Sequence, residues 1–162
     1  MRVLAISISL TALAAVAAAQ QPAAQAMKLF ASSADVTAMI AKAKADRKEG
    51  QPNVVQRILS LAPYNANLEY RASVGPASVH EKEAELFYVI DGSATLVTGG
   101  KLTKEARTNP ENLTGSGIDG GSSQAIAKGD FFIVPEGTPH WFSEIKQTLV
   151  LMSLHVPRPV AH

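Results

Sequence analysis

Gly129-Asp130-Phe131-Phe132-Ile133-Val134-Pro135-Glu136-Gly137-Thr138-Pro139-His140 is the stretch on which the fold turns. Residues 130–134 read as a short apolar strand. Pro135 and Gly137 then build a turn, and Pro139 hands the chain to a new strand that opens with His140. Proline fixes φ and glycine relieves steric restriction, so such a turn aims His140 instead of leaving it loose.

Working outward, the chain from Val54 onward is a succession of short β-type runs punctuated by turns. The pattern predicts strands over 54–61, 66–73, 76–81, 85–91, 93–98, 124–127, 130–134, 139–145 and 147–156. Asp91-Gly92, between FYVI and SATLV, carries the chemistry of a two-residue hairpin turn, because glycine tolerates positive φ. Many short, closely spaced strands imply an all-β sandwich or barrel. Residues 99–123 (GGKLTKEARTNPENLTGSGIDGGSS) stand apart: polar, with six glycines and one proline, and without periodicity. They read as a long loop, either a solvated insertion or a lid over a pocket.

Before the strands lies a helix predicted over residues 32–50. Ser32 or Ser33 can cap it, Val36, Met39, Ile40 and Ala43 form one apolar stripe, and Gly50 and Pro52 stop it. Residues 20–31 read as a flexible leader. Residues 1–19, with Arg2 ahead of an uncharged apolar run and Ala17 and Ala19 in an A-x-A arrangement, read as an export signal cleaved before Gln20. The run is diluted by Ser7, Ser9 and Thr11, which argues against an uncleaved membrane anchor and against stable insertion after cleavage. The expected location is periplasmic or secreted.

The chain of 162 residues has 15 basic and 14 acidic side chains. No basic stripe is visible, which argues against a nucleic acid partner. There is no cysteine, so a thiol nucleophile and disulfide bonds are both excluded. Neither a GxSxG elbow nor a glycine-rich phosphate loop is present.

Imidazole is supplied only by His80, His140, His155 and His162. In an extended Ser78-Val79-His80, Ser78 and His80 share a face. A turn around 81–84 would then bring His80 and Glu85 side by side on adjacent strands. An imidazole and a carboxylate meeting in this way can hold a divalent cation or simply hydrogen-bond to each other. Strand parity puts Glu144 on the face of His140 and Phe142. His155 shares parity with Leu149, Leu151 and Ser153. The apolar run 149–154 could serve an interface between copies. Glu81, Lys82 and Glu83 read as solvated turn residues.

Two segments together resemble the paired motifs of the cupin superfamily, written G(X)5HXH(X)3,4E(X)6G and G(X)5PXG(X)2H(X)3N. Gly129, Pro135, Gly137 and His140 match the second, with Glu144 in place of its asparagine. His80, Glu85 and Gly92 match the first, with Ser78 where a histidine is usual and Ala72 where a glycine is usual. The resemblance covers roughly residues 54–157. It implies an all-β double-stranded β-helix, a jelly-roll barrel spanning 51–162, with one N-terminal helix. It also implies a metal held by His80, Glu85 and His140, the ion being Fe, Mn, Zn or Ni. Ser78, Tyr70, Phe87 and Phe142 would line the pocket, and Glu144 or His155 would be the acid/base group. His155 has two further readings: an ordinary core or edge histidine, which the residue type favours, or a replacement for the imidazole missing at position 78.

The function so implied is an exported metal-dependent enzyme acting on a small organic molecule by dioxygenase, isomerase or lyase chemistry. The alternatives left open are a metal-free small-molecule binding protein and an assembly module, with a homodimer as one option.

Overall fold

A computed structural model describes residues 26–158. The expected signal segment, most of the leader and His162 lie outside the described residues.

The helix α1 runs Ser33–Asp46, shorter than the predicted 32–50. Ser32 caps it reciprocally: its hydroxyl accepts from the Asp35 backbone, and the Asp35 carboxylate accepts from the Ser32 N–H. Two orphan donors of the first turn are thereby satisfied. Arg47 leaves helical geometry, with φ −61° and ψ 125°, three residues before Gly50. The described end of the leader is already tied down, since Lys28 exchanges two 2.9 Å backbone hydrogen bonds with Ser60.

Eleven strands follow: β1 Asn53–Leu61, β2 Tyr64–Arg71, β3 Ala77–His80, β4 Glu83–Thr98, β5 Lys101–Thr103, β6 Ala106–Asn109, β7 Asn112–Gly115, β8 Gly117–Asp119, β9 Ser122–Ala127, β10 Phe131–Val134 and β11 His140–Pro157. Nine belong to one sheet with the path β1-β2-β11-β3-β7-β6, while β4 pairs β11, β9 and β10. The remaining two, β5 and β8, pair only with each other. This is a double-stranded β-helix, rolled up around its two longest strands.

Those two strands correct the sequence reading. Asp91-Gly92 is not a hairpin turn. It is a corner inside one continuous strand, β4, and the expected strands 139–145 and 147–156 are likewise one strand, β11. β4 and β11 run antiparallel from Glu83↔Pro157 to Thr98↔His140, with register shifts around Lys146–Val150. Gly92 (φ 88°) and Gln147 (φ 67°) take positive φ at the corner. A Cβ on Gly92 would stand 1.9 Å from the Thr148 carbonyl oxygen. Glycine is needed there by close approach as well as by φ.

The expected loop 99–123 is also corrected. It folds into β5 to β8 and the start of β9, with positive-φ glycine pairs at Gly99-Gly100 and Gly120-Gly121 and a positive φ at Lys104 between β5 and β6. β5 to β8 are only three or four residues long and mostly polar, so they carry no apolar alternation for a sequence pattern to report.

Two apolar clusters divide the molecule. The inner one unites Phe87, Val89, Leu96, Ile126, Val134, Phe142, Leu149 and Leu151 between the rolled halves of the sheet. The outer one packs the helix stripe of Val36, Met39, Ile40 and Ala43 on Ile58, Leu68, Tyr70 and Val150. Residues 149–152 belong to these clusters, and the whole run 149–154 lies in a strand bonded on both sides, by β2 and β4.

Candidate metal centre

His80 ends β3, Glu85 lies near the start of β4, and His140 and His155 stand near opposite ends of β11. The fold brings all four together. Nε2 of His80 and Nε2 of His140 lie 3.2 and 3.4 Å from Glu85 Oε2, and Nε2 of His155 lies 3.2 Å from Glu85 Oε1. The ring centroids of His140 and His155 are 5.4 and 4.8 Å from that of His80. Glu85 and His140 are buried, whereas the His80 and His155 side chains are 22% and 23% exposed, which leaves one side of the cluster open.

Local structure explains the convergence. β3 pairs β7 and β11 but not β4, so His80 and Glu85 are not the cross-strand neighbours that the spacing suggests. Their side chains meet across the interior instead. His155 is the direct cross-strand partner of Glu85. The turn ahead of His140 is clipped to the other motif by the Gly137 N–H, which donates to the His80 carbonyl at 2.8 Å.

The far nitrogens of the rings decide what the near ones can do. Glu111 N–H donates to Asn109 Oδ1 at 2.9 Å, which identifies that atom as an acceptor. It also accepts from Asn112 Nδ2 at 2.9 Å, so Asn112 turns its Oδ1 to His80 Nδ1, 2.5 Å away. His140 Nδ1 faces the Thr138 carbonyl at 3.3 Å, and His155 Nδ1 faces the Glu83 carboxylate at 3.0 Å. All three partners only accept, so each neutral imidazole carries its proton on Nδ1. Three Nε2 lone pairs therefore point at one buried carboxylate with no donor between them. Such a set of acceptors requires a cation, either extra protons or a metal.

The electrostatics agree. Burial alone would raise the Glu85 pKa, but when extra protons supply the cation, hydrogen bonds from His140, His155 and His80 outweigh burial and hold the carboxyl well below its usual range. The His155 pKa is raised, first by its hydrogen bond to Glu85, against the opposing effect of burial. Burial works to lower that of His80, but the hydrogen bond and charge of Glu85 prevail and it too is raised. Three imidazole nitrogens and one carboxylate are also a donor set that suits Zn, Fe, Mn or Ni. His80, Glu85 and His155 can offer ligand atoms within 4.8 Å of one another.

The other expected site residues are distributed differently. Ser78 is the register partner of His140 and lies on the face of His80, so a hydroxyl stands where the motif has an imidazole. Phe87 and Phe142 form the apolar floor, with Phe87 6.1 Å from the His140 ring and 5.9 Å from Phe142. Tyr70 is not in the pocket: it is packed in the outer cluster beneath the helix. Glu144 does not share the face of His140. A bulge between Phe142 and Glu144 reverses its side, and it sits exposed, accepting from Thr95 Oγ1 at 3.1 Å. Sequence reasoning missed Asn112, which carried no signal inside a polar stretch, and it read Glu83 as merely solvated.

A family model described as Cupin matches residues 48–159, more than half of the chain. No curated protein matches. Solved structures of similar shape include KdgF from Halomonas sp., 16% identical, covering 70% of this chain and 87% of that one at a TM-score of 0.49. The Cnp3 cupin domain of Schizosaccharomyces pombe is 12% identical over 71% and 72%, at 0.48. Fe(II) HppE is 15% identical over 68% of this chain and about half of its own (53%), at 0.49. The family match falls on the rolled sheet and on both motif segments, and the chain belongs to the cupin family.

Proposed function

We propose that this cupin is an exported, metal-dependent enzyme acting on a small organic molecule. In this reading His80, Glu85, His140 and His155 hold the ion. The observation that carries it is the convergence of three Nε2 lone pairs on the Glu85 carboxylate, with every Nδ1 committed to an acceptor. Bound there, a divalent ion supplies Lewis acidity to polarise an oxygen of the substrate, a demand common to isomerase, lyase and dioxygenase chemistry.

The chain's own part is preorganisation. Asn112, Thr138 and Glu83 fix the ring tautomers, and the Phe87–Phe142 floor excludes water from beneath. The more open side, at His80 and His155, admits the ligand.

Elemental analysis of untagged protein tests the reading. Near-stoichiometric Fe, Mn, Zn or Ni is expected, and it should be lost in His80→Ala, His140→Ala and His155→Ala. Folded wild-type protein that takes up none of these ions, with a melting temperature indifferent to them, would overturn it.

A second reading, a metal-free binding protein, draws on the raised pKa values of His80 and His155, since imidazolium protons can also satisfy Glu85. The same measurement separates the two. Export belongs to the proposal as well: the secreted or periplasmic form should begin at Gln20, as read by N-terminal sequencing. A homodimer would sediment at twice the mass of that form.

A further inference from the structure

The outward side of the rolled sheet takes no part in the proposed centre. Side chains alternate across a strand, so the residues between the inner-cluster positions of β4, β10 and β11 face away from that cluster. By register they continue onto β2 and β1 in two rows. Ile133, Leu86, Leu154, Ala66 and Leu59 form one row, and Phe131, Tyr88, Met152 and Leu68 form the other. No charged side chain interrupts either.

The helix α1 covers only one end of this face, over Tyr70, Val150 and Leu68. Among the described residues the rest is bare. Phe131 is 69% exposed and Ile133 56%; on the far flank Leu61, Tyr64 and Leu29 are 46%, 49% and 61% exposed. The Phe131 ring stands against Tyr88, with centroids 4.5 Å apart, and makes a ridge with Ile133 along β10. On the opposite flank Leu29, Leu59, Tyr64, Ala66 and Leu154 line an apolar groove of about 270 Å³. Ala66 is the smallest side chain of its row, between Leu59 and Leu154, which is why the face dips there.

A monomer seldom leaves this much apolar surface together. At roughly 200 Å² for a large side chain, Phe131, Ile133, Leu61, Tyr64 and Leu29 alone leave on the order of 600 Å² uncovered. The half-buried members of the two rows bring the face near the ~800 Å² per partner of a standard interface. Gln20-Gln21-Pro22-Ala23-Ala24-Gln25, which precede the described residues in the expected exported form, hold no large apolar side chain to cover it.

The face also fits itself. Ridge and groove lie three strands apart, β10 against β2, or roughly 14 Å at about 4.8 Å per strand. Consider a two-fold axis in the plane of the face, parallel to the strands and midway between β11 and β4. It sets β10 of one protomer over β2 of its partner and keeps each row in place. Ile133 then meets Ala66, twice by symmetry. Aligned sheets pack face to face in this way about 10 Å apart.

We propose that a second copy of this chain docks on this face, as a two-fold dimer with Ile133 of each protomer seated in its partner's groove over Ala66. Met152 and Leu154, the outward members of the run 149–154, form the middle of the interface. The inference rests on the homodimer considered above, to which it gives a surface, and does not depend on the metal.

Sedimentation equilibrium of the exported form, beginning at Gln20, tests it. Wild type should sediment as a dimer, and Ile133→Glu should raise the dissociation constant by about tenfold or more. Ala66→Leu adds apolar bulk but fills the groove, so it should weaken the dimer too, whereas general stickiness would strengthen it. Phe131→Ser, on the exposed ridge, should act in the same direction and serves if either variant does not fold. Val74→Glu, exposed in the turn at the other end of β2 from the groove, should leave the dimer intact. Wild type that stays monomeric, including one that binds neutral phospholipid vesicles instead, overturns both the homodimer and its surface. A dimer indifferent to Ile133→Glu and Phe131→Ser overturns the surface alone, and one strengthened by Ala66→Leu overturns the seating of Ile133.

Discussion

At the scale of single residues, the side of each imidazole that faces away from Glu85 controls the side that faces it. Asn112 is the clearest case, because its amide is oriented by Asn109 and in turn fixes the proton of His80. Such outer partners typically contribute ten- to a hundredfold to metal affinity. Asn112→Leu is therefore expected to weaken divalent binding by about that factor while Asn112→Asp, which keeps the acceptor, restores most of it, as measured by calorimetry. Equal affinity in wild type and Asn112→Leu would contradict the tautomer argument. The positions of His80, Glu85 and His140 were legible from spacing within two short motifs. His155 was legible only as one of two options, since nothing local distinguishes an inward histidine on a long strand from a core one. Asn112 could not be read at all: it lies 32 residues from its partner in a stretch without periodicity.

At the scale of elements, the corner shared by β4 and β11 decides the architecture. The Asp91-Gly92 pair was misread because positive φ serves a hairpin turn and a strand corner equally well. Glu144 was misplaced for a related reason, since one bulged residue flips the parity of everything beyond it. The corner makes a sharp prediction. Gly92→Ala must accept positive φ and also displace the Thr148 carbonyl, and should cost about 2–5 kcal/mol in urea unfolding. Gly129→Ala has a comparable φ of 94° but open space around the added methyl, so only the backbone strain of roughly 1–2 kcal/mol is expected. Equal losses in the two variants would show that close approach at the corner is unimportant.

At the scale of the whole molecule, the cluster couples stability to pH, and the sign depends on what neutralises Glu85. The depressed pKa of Glu85 stabilises the fold above the ordinary carboxyl value of 4.5, and that contribution fades only in strong acid. The raised pKa values of His80 and His155 act oppositely: their contribution is complete below the ordinary 6.5 and is lost as pH climbs through the raised values. Metal-free protein should therefore lose melting temperature from near neutrality upward. Metal binding favours neutral imidazoles and gains in the same interval. The difference in melting temperature between loaded and EDTA-treated protein should widen from pH 6 to pH 9 in a thermal-shift series, and a constant difference would count against the shared-cation picture.

What the amino-acid sequence determined by itself was everything encoded over a few neighbouring residues: the capped helix with its stripe, the alternating strands, the turn that aims His140, and the two motif segments marking a rolled sheet. Periodicity and φ preferences act over such distances, so they survive in a linear string. Tertiary structure alone decided which strands are continuous, which way Glu144 and Tyr70 point, that a polar stretch is sheet, and that His155 and Asn112 complete the cluster. Those outcomes depend on register, bulges and packing between segments tens of residues apart, which no local pattern records.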